Sequence, residues 1–220
     1  MKSTCILVLV LAIAVHPGAA HILADASSPG IEGRGKSVLD RFSAGQKKTL
    51  LAGQPIFESG IAGGPDGNHE AHGRTTALIN KPVDDCFKIF CEVDKHYLYL
   101  PRTTVSRVLK RECNTIVIYK ELDYGFITVR YTNILTIDPE AYRVDFVTDP
   151  KGINTVKFSS GYYRFEKLDE DRALFTYELT KMDSGLTIPE FMQKHMASKD
   201  LPEIATSVKK RIESGGTWVK

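Results

Sequence analysis

Between residues 103 and 181 the chain is a run of segments rich in Val, Ile, Thr, Tyr and Phe, with only short connectors between them. The segments are 103–111, 115–122, 126–137, 143–148, 156–168 and 172–181. Cys113-Asn114, Asp123-Tyr124-Gly125, Asp138-Pro139-Glu140, Asp149-Pro150-Lys151-Gly152 and Asp169-Glu170-Asp171 mark the turns. A parallel pair needs a crossover of roughly a dozen residues or more, so neighbouring strands in this stretch must be antiparallel. This excludes the parallel α/β folds, with their nucleotide crevices, for most of the chain.

The flanks complete an α+β pattern. Before the run, 54–61 and 74–80 read as strands, 62–67 as a glycine-rich loop around Pro65, and 36–51 as a weak helix. Lys81-Pro82 opens a helix with Asp84 and Asp85 in its first turn, where acidic groups suit the helix dipole. Its apolar side is Cys86, Phe87, Ile89, Phe90 and Val93, and the stretch Asp94-Lys95-His96-Tyr97-Leu98-Tyr99-Leu100 ends at Pro101. After the run, Thr187-Ile188-Pro189-Glu190 and Asp200-Leu201-Pro202-Glu203 each place a capping residue three positions before a glutamate. These predict a helix from Ile188, interrupted near Asp200 and ending near Ser214. Its stripe is Ile188, Phe191, Met192, His195, Met196, Leu201, Ile204, Ala205, Val208 and Ile212.

The N-terminus carries a secretory pattern: Lys2, an apolar run to Val15, then the small residues Gly18-Ala19-Ala20. The run is too short to span a bilayer. The expectation is a signal peptide at 1–20, a tether with a short helix at 21–53, and one ligand-binding domain at 54–214 in an exported protein, periplasmic or secreted. The net charge of +2, with acidic and basic residues interspersed, argues against a nucleic-acid partner. Of the four cysteines, Cys86, Cys91 and Cys113 remain after cleavage. Cys86 and Cys91 point about 140° apart on one helix; Cys91 with Cys113 stays open as a pair, and buried free thiols are the favoured reading.

Several patterns of reactive residues lead nowhere. Gly30-Ile31-Glu32-Gly33-Arg34-Gly35-Lys36-Ser37 matches the P-loop spelling, but no buried strand feeds into it. His69 and His72 lack a third metal ligand, so no metal or other cofactor is expected, and they read as solvated loop histidines. Ser159-Ser160-Gly161 lies within a strand, with no turn to expose a nucleophile. Asp94-Lys95-His96 reads either as a donor of acid–base groups to a cavity or as a solvated helix end. His195, on the apolar stripe, reads either as a core histidine or as a polar handle for a ligand. No catalytic residue is assigned.

In order and spacing the chain resembles the START and polyketide-cyclase (SRPBCC) superfamily over about 54–214. The resemblance is carried by Lys81-Pro82-Val83-Asp84-Asp85-Cys86-Phe87, Leu100-Pro101, Gly161-Tyr162-Tyr163-Arg164-Phe165, Tyr177 and Ile188-Pro189. Phe87 stands where many relatives have tryptophan. The resemblance implies a helix-grip fold: a curved antiparallel sheet of about six to seven strands around a long C-terminal helix, with two short helices after the first strand. It also implies an apolar pocket between sheet and helix, used by relatives for sterols, phospholipids, quinones or polyketides.

Alternation then places Val129, Tyr131, Asn133 and Leu135 on the inner face, with Gly161, Tyr163, Phe165, Tyr177 and Leu179. Phe191, Met192, His195 and Met196 would form the roof, and Tyr97, Leu98 and Leu100 a lid. Arg130 and Arg164 then point outward, or one of them is a buried charge awaiting an anionic head group. The expected function is non-catalytic binding or carriage of a hydrophobic small molecule or lipid, with transient membrane contact as a corollary. The alternative is a cyclase, aromatase or hydrolase acting on a polyketide-like or aromatic substrate.

Overall fold

The structure is a computed structural model that describes residues 37–63, 69–183 and 199–220. The signal-peptide and tether segments and the roof residues Phe191, Met192, His195 and Met196 lie outside the described residues, as does the P-loop spelling except for Ser37. Ser37 caps a 3₁₀ turn at Val38–Arg41 by accepting from the Leu39 N–H.

Helix α1 (Ala44–Leu51) follows, opened by a reciprocal capping box between Ser43 and Gln46. Strands β1 (Ile56–Gly63) and β2 (His69–Ile79) come next, then helix α2 (Val83–Phe90), a 3₁₀ turn at Val93–Lys95 and the single-turn helix α3 (His96–Tyr99). Six strands succeed one another: β3 (Thr103–Glu112), β4 (Thr115–Asp123), β5 (Thr128–Asp138), β6 (Arg143–Thr148), β7 (Phe158–Lys167) and β8 (Ala173–Asp183). Helix α4 (Leu201–Glu213) closes the described chain.

All eight strands form one antiparallel sheet in the order β1-β2-β8-β7-β6-β5-β4-β3. The sheet therefore has eight strands rather than six or seven, and the short helices follow the second strand rather than the first. The extra strand arises because β1 and β2 pair as a hairpin, with Ile56 opposite Thr76 and Gly63 opposite His69. His69 and His72 accordingly belong to β2, not to a loop.

The turns use the residues expected of them. At the β4–β5 turn Gly125 adopts φ +83 while its N–H donates to the Asp123 carboxylate. The left-handed backbone there suits glycine alone. At β5–β6, Asp138 accepts from the N–H groups of Glu140 and Ala141.

Register assigns the faces. Lys120 pairs with Tyr131, Ile118 with Asn133, and Ile116 with Leu135. Across the sheet, Leu135 pairs with Phe146, Phe146 with Gly161, Tyr163 with Tyr177, and Phe165 with Phe175. Directly opposed residues share a face, so all of these line the concave side. Bulges at Ala71/Gly73 and Ser160/Gly161 bend β2, β7 and β8 around it. Arg130 and Arg164 are exposed on the other side.

One half of the concave face is solid. Helix α2 presents Val83, Cys86, Phe87 and Phe90, spaced three and four residues apart, and all four are buried. They meet Ala77, Ile79, Ile116, Ile118, Leu135, Val144, Phe165, Ala173 and Phe175 from the sheet and Ala205, Val208 and Ile212 from α4. Phe90 lies 5.5 Å from Phe165 and 4.8 Å from Tyr163 between ring centres, and Phe165 lies 5.1 Å from Phe175. Such offset and tilted aromatic pairs add to the simple burial of area.

Helix α1 packs on the convex face, where Leu50 meets Leu78 and Leu174. It is part of the compact unit Ser37–Lys220. The last residues also pack onto this unit: the Lys220 N–H donates to the Leu98 carbonyl, and its Nζ donates to the carbonyls of Leu100 and Thr103.

Cys86 and Cys91 are free thiols, the first buried and the second half-buried, and Cys113 is exposed. Burial pushes the Cys86 thiol up to about 12 and Cys91 up to about 11, so neither is a thiolate near neutrality.

Candidate functional site

The other half of the same face is hollow. Between β4, β5, β7, β8 and the first turn of α4 the described residues line a partly open cavity of about 120 Å³. Its apolar wall is Leu100, Pro101, Leu122, Val129, Phe146, Val156, Leu179, Met182, Leu201 and Ile204. Its polar and aromatic wall is Thr103, Lys120, Tyr124, Tyr131, Asn133, Ser159, Tyr163, Tyr177 and Asp200, with His72 at one side.

Of the residues expected from sequence, Leu100, Val129, Tyr131, Asn133, Tyr163, Tyr177 and Leu179 are brought together here. Five others among the described residues are not, and of these Gly161 faces inward but offers no side chain to the wall. Leu135 and Phe165 do face inward, but they sit farther along β5 and β7, where α2 covers them in the solid core. Tyr97 is 44% exposed on α3, and Leu98 packs against the core, so neither lines the cavity. The intended lid is instead anchored, because Tyr99 and Leu100 are buried.

The cavity is more polar than alternation of hydrophobes suggested. Lys120 is 4% exposed, and its ammonium stem points inward in phase with Ile116, Ile118 and Leu122. Its Nζ lies 2.9 Å from His96 Nδ1. On the other side of the ring, His96 Nε2 lies 2.9 Å from the carbonyl oxygen of Phe90, which ends α2. A carbonyl only accepts, so Nε2 carries the proton and Nδ1 offers its lone pair to Lys120. The rings of Phe90 at 4.9 Å and Tyr99 at 5.5 Å hold the imidazole.

His96 is therefore a buried ring bonded to a helix end, not a solvated helix end, and it is 1% exposed. Burial, then the Lys120 charge, lowers its pKa well below the ordinary value against the opposing pull of the Phe90 bond. Burial alone pushes Lys120 down to about 7. Both groups resist a proton because low-dielectric surroundings penalise charge.

Elsewhere in the wall, Tyr124 donates to the Asp200 carboxylate at 2.5 Å, and Arg102 lies 3.8 Å from the other oxygen. Asp200 was expected to cap α4, yet it makes no capping bond, because Tyr124 and Arg102 engage its carboxylate. Asn133 Oδ1 is buried without a hydrogen-bond partner among the described residues. Tyr163 and Tyr177 stack at 4.8 Å, and burial raises the hydroxyl pKa of both, as it does for Tyr131. Ser159 is tied to Thr148 at 3.0 Å, which accounts for its hydroxyl.

No family model matches the chain, and no curated protein does so. Solved structures match well. The Zhui aromatase/cyclase from a Streptomyces species aligns with TM-score 0.52 at 17% identity, covering 67% of this chain and 99% of that one. A START superfamily protein from Mycobacterium smegmatis aligns with TM-score 0.56 at 13% identity, covering 65% of this chain and 97% of that one. The STAR-related lipid transfer protein from Xanthomonas axonopodis aligns with TM-score 0.56 at 12% identity, covering 70% of this chain and 98% of that one. The chain has the START-like helix-grip fold. At these identities the likeness speaks for the fold, and the cavity's own chemistry must speak for function.

Proposed function

We propose that this protein binds and carries a small hydrophobic molecule in the cavity between its curved sheet and α4, without transforming it. The observation that carries this reading is an inward-facing hollow whose wall is largely hydrocarbon and aromatic ring. Each methylene moved from water into such a wall contributes about 0.8 kcal/mol.

Size narrows the guest. The cavity of about 120 Å³ is close to the about 150 Å³ that admits benzene and below the roughly 300 Å³ where pockets for drug-sized molecules begin. The buried part of the guest is thus one ring or a short length of acyl chain. Lipid transfer in the name of the Xanthomonas axonopodis structure and aromatase/cyclase in that of the Streptomyces structure both accord with apolar guests.

Membrane contact is part of the proposal. Phe126 on the β4–β5 turn is 72% exposed and Ile153 on the β6–β7 loop is 64% exposed, at the same end of the sheet as the cavity-lining Tyr124 and Val156. Export rests on the N-terminal sequence and is checked by the intact mass of protein recovered from its own host, which should begin near residue 21.

The decisive experiment is native mass spectrometry of the protein with 1-hexanol and benzene-sized probes. Wild type should bind them, and Val129→Trp, which fills the hollow, should lose at least about tenfold in affinity while remaining folded. Equal binding by both proteins would place the guest elsewhere and sink the carrier reading. The cyclase, aromatase or hydrolase alternative requires turnover of an added substrate that the purified protein performs and Lys120→Met does not.

A further inference from the structure

We propose that Lys120 is a covalent anchor: its amine forms a reversible imine with an aldehyde or ketone group carried by the apolar guest, with His96 as the adjacent base. The inference rests on the carrier reading above and adds the chemical class of the guest.

The placement of the lysine is the first observation. Lysine has a stem long enough to carry its charge to water, yet Lys120 keeps its head inside. Among the described residues no carboxylate lies within ion-pair distance of it, and His96 is its hydrogen-bond partner. The charged and titratable groups facing it are His96 from α3, its cross-strand neighbour Tyr131, and Tyr163 and Tyr177 farther round the wall. Asp200 in the same wall accepts from Tyr124 through Oδ2, while its buried Oδ1, with Arg102 at 3.8 Å, makes no hydrogen bond among the described residues. Ser106, opposite on β3, spends its hydroxyl on the Val93 carbonyl at 2.6 Å.

The second observation is a chain of three roles. A nucleophile within hydrogen-bond reach of a base, with the base oriented by a third group, is the geometry of an activated nucleophile. Here Nζ is 2.9 Å from Nδ1, and Nε2 is 2.9 Å from the Phe90 carbonyl. Desolvation, which holds the amine down to about 7, supplies neutral nitrogen near neutral pH. A lysine kept only for structure needs neither the open cavity beside it nor a lone pair aimed at its nitrogen.

The step balances without an oxidant or reductant. Lys120 Nζ attacks the carbonyl carbon, the N–C bond forms, and the π pair moves to oxygen. A proton leaves nitrogen for His96 Nδ1 and is passed to that oxygen. The remaining N–H proton is carried by His96 Nδ1 to the resulting hydroxyl, the C–O bond breaks and water departs as C=N forms, leaving a neutral imine; the reverse sequence, with water adding back, releases the guest.

The test uses the full chain with hexanal and cyanoborohydride at pH 7.5, followed by peptide mass mapping, with 1-hexanol and hexanoate as non-carbonyl controls. Reductive labelling of Lys120 should exceed that of the exposed Lys110 and Lys157 by at least about tenfold, and His96→Gln should slow it without abolishing hexanol binding. Lys120→Met should carry no adduct in that peptide. Binding of hexanol with labelling of Lys120 no faster than Lys110 overturns the imine and leaves the carrier reading intact. Tight binding of hexanoate that needs Lys120, without an aldehyde adduct, overturns it in favour of a simple ion-pair anchor. Uptake of none of the three probes overturns both readings. The wild-type labelling pattern decides the matter even if a variant fails to fold.

Discussion

The two halves of the concave face are made from the same strands, yet they have opposite characters. On β4, Ile116 and Ile118 lie in the filled half while Lys120 and Leu122 lie in the hollow one. On β5 the division falls between Leu135 and Asn133, and on β8 between Phe175 and Tyr177. In the filled half, α2 drives Phe87 and Phe90 into the sheet, where they meet apolar side chains such as Ile116, Ile118, Leu135, Phe165 and Phe175. In the hollow half, no α2 side chain among the described residues lines the cavity, and the wall holds a buried lysine, an amide oxygen without a partner among the described residues, and four tyrosines. A face of uniform pattern thus holds stability at one end and unsatisfied chemistry at the other.

The contrast is most easily broken in the filled half. Phe165→Ala should cost about 3–5 kcal/mol in urea denaturation, the usual loss for a buried ring; a loss below about 1 kcal/mol would mean that half is not close-packed. At the border, Gly161 has no room for a side chain, since an added Cβ would collide with the Glu178 carbonyl oxygen and the Phe146 ring. Gly161→Ala should cost about 1–3 kcal/mol by overpacking.

Lys120→Met sharpens the comparison through pH. In the unfolded chain the lysine titrates at about 10.4, and in the folded protein at about 7. Between these values the unfolded state holds one proton more, so wild-type stability should rise with pH from about 7 towards 10, by at most about 1.4 kcal/mol per pH unit. The penalty is fully present below pH 7. The difference between wild type and Lys120→Met, followed by denaturation at several pH values, should carry this slope. A flat difference would show that the amine reaches water. The smallest effect is expected from Asn133→Leu, which removes the unpartnered amide oxygen and should leave stability unchanged or raise it by about 1 kcal/mol.

Much of this was legible in the residues. Two-residue alternation put Val129, Tyr131, Asn133, Tyr163 and Tyr177 on the inner face, and turn chemistry located the hairpins. Leu135 and Phe165 were misplaced because alternation tells which face a side chain takes, not how far along a strand the covering helix reaches. Tyr97 and Leu98 were misplaced because a single helical turn has no periodicity to orient it. Lys120 was overlooked although Ile116, Ile118, Lys120 and Leu122 share one phase; a lysine is ordinarily assumed to face water. For His96 the sequence leaves a cavity acid–base group and a solvated helix end both open, because its partner, the last carbonyl of α2, is a backbone group whose need for a donor appears only once the helix end is located.

The strand order has a consequence for how the chain reaches this state. β8 is inserted between β2 and β7, so residue 75 meets residue 177 only after nearly everything between them exists. Pairings so distant in sequence slow folding, commonly into the millisecond-to-second range. During synthesis the β1–β2 hairpin would wait beside a growing meander, with its apolar surface unprotected until the final helix emerges. A ribosome-bound chain shortened before Leu201 should therefore stick to chaperones far more strongly than one extended by those last twenty residues.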